Sequence, residues 1–224
     1  MARLLAELDA GPPDRPGAYF GPQATHRGAL HHAYGQWTAK LLACIHGGEP
    51  ADHRSHPAVL GEQVCHFNLY PVPLPGTEPH HWTRPIVAPG HGPARSYQDV
   101  TGLPTKAIYR SWCRQERFPF FSTEARRHQP RVIVGTGTSY LDHFAAFFAG
   151  QSRLRDWREH DVRAPGPKGE EVRTAFSAEF ADQATTLFVV PFFAKPRHGI
   201  NSEALVLALG RLIGRHTGLL PSPR

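Results

Sequence analysis

Cysteine is scarce in this chain. Cys44, Cys65 and Cys113 are widely spaced and form no Cys-x-x-Cys pair. That argues against a disulfide framework and against a four-cysteine metal or iron–sulfur site, leaving buried reduced thiols as the expectation. Long apolar runs are missing as well: none approaches a membrane span, and the N-terminus shows no basic-then-apolar signal pattern. A cytoplasmic globular protein without a membrane partner is therefore expected. The chain has no repeat, no Gly-Lys-Ser/Thr of a P-loop, no Gly-x-Ser-x-Gly elbow and no Cys/His pairing for acyl transfer. His53, His56, His80, His81 and His91 sit in loops without a helical ligand spacing, so neither a metal nor a cofactor is expected.

What is present points to one large domain over residues 1–224, with 40% hydrophobic residues and room for a single core. The net charge of +6 is uneven: residues 1–75 hold 5 Lys/Arg against 6 Asp/Glu, and residues 76–224 hold 20 against 13. Most of the basic residues are arginines, which suit phosphate and stacking contacts better than lysines do. DNA, single strands included, is thus a reasonable partner for a monomer, although an Arg- and Pro-rich composition also follows from a GC-rich genome.

Apolar spacing divides the chain into alternating elements. ARLLAELDAG reads as a strand running into a Gly-Pro turn. Leu30, Tyr34, Trp37, Leu41 and Ile45 mark one face of an amphipathic helix, followed by the strand GEQVCHFN. A Pro/Gly/His-rich insert fills about 71–104. TKAIYRSWCRQERF and STEARRHQ read as helical, with Ser122 or Thr123 as an N-cap. PRVIVGTGTSYLDHFAAFF reads as a buried strand, a Gly turn and a helix with Leu141, Phe144 and Phe148 inward. Residues 150–178 are charged and read as a surface hairpin or loop; TTLFVVPFF is a fourth apolar strand, and a last helix starts near Asn201-Ser202 with Leu205, Leu209 and Leu212 inward. Short apolar strands alternating with helices predict an α/β fold: a three-layer α/β/α sandwich with a central, mostly parallel four-stranded sheet.

In such sheets ligands sit at the carboxyl ends of the strands, so the residues just past each strand carry the functional reading. Asp9 offers a carboxylate to position a water or offset positive charge, or it bonds its own turn. Tyr19 and Phe20 form a stacking platform for a base, or plug the core from the loop side. Asn68 presents a donor and an acceptor together, matching a base edge, or caps the strand before the stiff loop PVPLPG. Gly135-Thr136-Gly137-Thr138 resembles a turn that offers backbone amides to an anion, or is a tight turn under a helix. His198, on a turn before a helix, is placed to hydrogen-bond developing negative charge, with Asn201 or Ser202 as the N-cap.

Taken in order, Asp9-Ala10-Gly11-Pro12, Tyr19-Phe20-Gly21, Asn68 in CHFNLYP, PRVIVGTGTSY and His198-Gly199-Ile200-Asn201-Ser202 resemble the motifs of the uracil-DNA glycosylase superfamily. The chain would be a divergent member without an iron–sulfur cluster, with Gly-Ile following the histidine where the family has Pro-Ser. The resemblance implies a glycosylase that flips a base and hydrolyses its N-glycosidic bond. Asp9 and His198 would be catalytic, and Tyr19, Phe20 and Asn68 would bind the base. Ile200 would wedge into the gap, with Arg197, Asn201, Ser202, Gly137 and Thr138 on DNA. Two other readings stay open: an inactive relative binding nucleic acid or a nucleotide, and a small-molecule enzyme holding phosphate at the VGTGTS turn.

Overall fold

The computed structural model describes residue 30 and residues 33–60, 69–70, 82–86, 95–150, 154–193 and 198–221. The strands expected in ARLLAELDAG and GEQVCHFN lie outside the described residues. In chain order the elements used below are helices α1 (Ala33–Ile45) and α2 (Pro57–Leu60), strands β1 (Pro85–Ile86) and β2 (Arg95–Ser96), and helices α3 (Tyr97–Thr101), α4 (Lys106–Trp112) and α5 (Phe118–His128). Then come β3 (Val132–Thr136), α6 (Leu141–Phe144), β4 (Arg158–Gly166), β5 (Gly169–Glu179), β6 (Thr186–Val190) and α7 (Glu203–His216).

The protein is α/β, with a four-stranded sheet in the order β3-β6-β5-β4. β3 pairs with β6 in parallel, Ile133 opposite Leu187 and Thr136 opposite Val190. β6–β5 and β5–β4 are antiparallel. The expectation of a mostly parallel sheet is thus corrected, and residues 150–178 are the reason. They form the expected hairpin, but it enters the sheet instead of lying on the surface. Pro167-Lys168 close it between Gly166 and Gly169. In β4, His160, Val162 and Ala164 turn inward while Glu159, Asp161 and Arg163 turn outward, a period-two pattern of a half-buried strand. Charged outward residues also suit an edge strand, where they discourage pairing with another chain.

β6 is central and buried at every position, which explains its unbroken apolar run TLFVV. Phe188 and Val190 join a cluster with Leu41, Cys44 and Ile45 of α1 and Leu205, Leu209 and Ile213 of α7. Their neighbours Leu187 and Val189 join Ile133, Ala125 of α5 and Phe144 of α6 in another. Alternate residues of one strand therefore feed two separate apolar clusters. In α1 the expected face holds for Leu41 and Ile45, whereas Tyr34 is exposed. α7 begins where expected, with Ser202 Oγ accepting from the Leu205 N–H at 3.2 Å.

Ser122 and Thr123 do not cap a helix. A π-helical turn, Cys113–Arg117, carries the chain from α4 straight into α5, and both hydroxyls donate back to the Pro119 carbonyl at 3.0 and 2.9 Å. Part of the Pro/Gly/His-rich insert also proves structural. Trp82 is 2% exposed, stacks on Tyr97 and donates its indole N–H to the Leu103 carbonyl at 2.8 Å. With Tyr109, Phe118 and Phe121 they make a third, aromatic cluster. No helix among the described residues is long and apolar enough to cross a membrane.

Candidate functional site

The carboxyl end of the parallel pair is closed by backbone. The Gly137 N–H donates to the Val190 carbonyl at 2.7 Å, and the Tyr140 N–H to the Gly137 carbonyl at 2.9 Å. Gly137 has φ +111°, and a Cβ there would lie 2.6 Å from the Phe192 ring. Gly135 likewise leaves room for Phe144, whose ring would meet a Cβ at 2.7 Å. These glycines make a tight turn under packed rings, and the Gly137 amide is engaged inside the protein rather than held out to an anion. Thr136 Oγ1 shares a 2.9 Å hydrogen bond with the Tyr34 hydroxyl. Thr138 is half-buried in the same turn.

Beyond β6 the chain comes back on itself. Phe193 and Ile200 form a parallel bridge, and the Ile200 N–H donates to the Phe192 carbonyl at 2.9 Å. This brings His198 to the end of β6, where its side chain is exposed. Asn201 and Ser202 are half-buried beside it, Ser202 as the cap of α7. Ile200 corrects the reading given to it: at 0% exposure, in the core cluster with α7, it presents no surface to wedge between bases. Asp9, Tyr19, Phe20, Asn68 and Arg197 lie outside the described residues.

Next to this end, five residues from three segments meet: Tyr70, Arg110 and Arg114, Tyr140 and His143. The Arg110 guanidinium carbon stands 5.7 Å from the centroid of the Tyr70 ring and 5.6 Å from that of Tyr140, with Nη2 donating to the Tyr140 hydroxyl at 3.1 Å. Arg114 Nη2 lies 2.8 Å from His143 Nε2, and His143 Nδ1 bonds the Tyr70 hydroxyl. An arginine has no acceptor, so Nε2 must accept, and the imidazole is then neutral with its proton on Nδ1. Burial, then Arg114 and Arg110, push the His143 pKa down in agreement with that assignment. Burial pushes the Tyr70 hydroxyl up to about 12, so it keeps its proton. Tyr140 meets Phe192 edge-on at 6.5 Å, which ties this cluster to the end of β6.

No motif marks these five in the sequence. Their only local signals are the four-residue spacing of Arg110 and Arg114 and the three-residue spacing of Tyr140 and His143 on helical segments. Compared with protein-family models, curated proteins and solved structures, the chain matches none.

Two other features are chemically weaker. A cavity of about 640 Å³ lies between β4 and α7, but Arg163 in its wall is paired with Asp161 and Glu170, and Arg211 with Glu49. His160 Nε2 lies 2.7 Å from Ser177 Oγ, yet Ser177 is 1% exposed, so an acyl substrate does not reach it. Among the described residues no group of three His, Cys, Asp or Glu comes together to hold a metal.

Proposed function

We propose that the protein recognises a nucleic-acid base at the carboxyl end of the β3–β6 pair, as a glycosylase-like protein of α/β/α architecture. The observation that carries this reading is the place of His198: exposed, on the turn that returns beside the end of β6, before the capped start of α7. An imidazole there is available to hydrogen-bond charge developing on a leaving base. The two apolar clusters fed by alternate β6 residues support the layered architecture.

The test is a labelled single-stranded oligonucleotide carrying one uracil, treated with alkali after incubation to cleave abasic sites. Excision by the wild type that drops about 10²–10³-fold in His198→Ala, the scale of losing one donor to developing charge, supports the reading. Asn68→Ala is expected to remove it too. A second reading, binding without excision, is favoured by the burial of Ile200. Under it, neither uracil nor any of a panel of damaged bases is released, while binding to the same oligonucleotide persists and weakens steeply with salt.

A further inference from the structure

We propose that Arg110, Arg114, Tyr70 and Tyr140, held by His143, form a binding site for a phosphate group. The cluster leaves part of its hydrogen-bonding capacity unused. His143 is fully engaged, accepting from Arg114 and donating to Tyr70. The Tyr140 hydroxyl accepts from Arg110, and what each tyrosine hydroxyl retains is its own proton. Arg110 Nε is buried and has no partner among the described residues. Remaining N–H groups on both guanidiniums add further donors. The site therefore offers donors backed by two positive charges, and it calls for a ligand rich in acceptors.

Charge leads to the same conclusion. Arg155, Arg158, Arg163, Arg173 and Arg211 each stand within 4 Å of a carboxylate. Among the described residues neither Arg110 nor Arg114 does, nor do Arg126, Arg131 and Arg215; what sets Arg110 and Arg114 apart is that they lie together against tyrosine rings and a neutral imidazole. Two neighbouring cations with no carboxylate within 4 Å repel one another; the Asp142 charge, felt at His143, offsets part of that cost, and a bound anion offsets the rest. A carboxylate supplies two oxygens in one plane. Here the donors come from three separate segments, a spread that a tetrahedral oxyanion satisfies better. The helical segments on both sides carry a π-helical turn next to the cluster, Cys113–Arg117 beside Arg110 and Ala145–Ala149 after His143. Such turns are rare and concentrate at functional sites.

The phosphate could belong to a nucleic-acid strand, at its end or within it, or to a small phosphorylated molecule; the chemistry is shared. The proposal does not need base excision, because a strand without any altered base would still bind.

The experiment is calorimetric titration of the full chain with inorganic phosphate, with a 5′-phosphorylated ten-nucleotide strand, with the same strand bearing a 5′-hydroxyl, and with acetate. Arg110→Gln and Arg114→Gln each remove a charge-assisted contact and are expected to weaken the phosphate-bearing ligand at least about tenfold. Arg127→Gln, on an exposed part of α5, is expected to stay within about twofold. His143 is a positioning residue: His143→Gln keeps one acceptor and one donor and retains binding, whereas His143→Phe loses it. Circular dichroism shows whether each variant is folded, and Arg114→Lys, which keeps the charge but not the fork, gives an intermediate loss if either glutamine variant is not. Affinity for inorganic phosphate places the site with small ligands. A preference for the 5′-phosphorylated strand places it at a strand end, and equal affinity for both strands places it on internal phosphates. Wild type that binds no phosphate-bearing ligand, or acetate as tightly as phosphate, overturns the proposal; so do folded glutamine variants that bind like wild type. Because these strands contain no uracil, failed excision leaves the outcome untouched.

Discussion

Two glycines separate backbone strain from crowding. Gly137 and Gly169 have nearly equal positive φ, +111° and +114°. Around Gly169 nothing lies within 4 Å of a built Cβ, whereas at Gly137 the Phe192 ring lies 2.6 Å away. Gly169→Ala therefore carries only the conformational penalty, on the order of 1–3 kcal/mol for a side chain held in that region. Gly137→Ala adds displacement of a ring that itself touches Tyr140, a further ~1–3 kcal/mol of overpacking. Urea unfolding of the two variants should show both destabilised, Gly137→Ala the more. Equal midpoints would mean that Phe192 swings away freely and that the strand end is loosely packed.

At the scale of elements, the pairing of α1 with α7 rests on small residues. A Cβ on Gly210 would lie 2.3 Å from Cys44 Cβ, and one on Gly214 would lie 2.4 Å from the Ile45 carbonyl oxygen. These glycines, one helical turn apart, let two backbones approach where longer side chains would hold them apart. In an isolated helix Gly210→Ala would stabilise by about 1 kcal/mol. Here the clash should dominate, with a net loss of about 1–3 kcal/mol in chemical unfolding; a net gain would show that α7 slides on α1 at little cost. The sequence made α7 legible, because Leu205 and Leu209 recur at helical spacing after a serine cap. It made β3 and β6 legible too, as apolar runs. It hid the antiparallel half of the sheet, because β4 alternates Val162 and Ala164 with charges and reads as surface. The Arg110–His143 cluster was hidden for another reason: Tyr70 and His143 are 73 positions apart, and only the fold brings them together.

For the molecule as a whole, buried ionisable groups set both edges of a pH range. Burial lowers the pKa of His46, His143 and His160 below the ordinary value of 6.5. Their stabilising contribution is complete above pH 6.5. It is lost as pH falls from there through the folded-state values, because the unfolded chain takes up protons first. At the other edge, burial raises the Cys44 thiol to about 12 from 9.0 and the Tyr70 hydroxyl to about 12 from 10.0. Those contributions are complete below pH 9 and are lost as pH rises toward about 12, because the unfolded chain releases protons first. Thermal unfolding across pH should therefore show a plateau between about 7 and 9 and a fall on each side. His143→Gln and His160→Gln together should make the acid limb shallower, with His46 keeping the remainder, while leaving the alkaline limb in place. If the acid limb persists unchanged in that double variant and begins only near pH 4, carboxylates set it and the imidazoles do not; Asp99, held low by hydrogen bonds from Ser96, is the first to test.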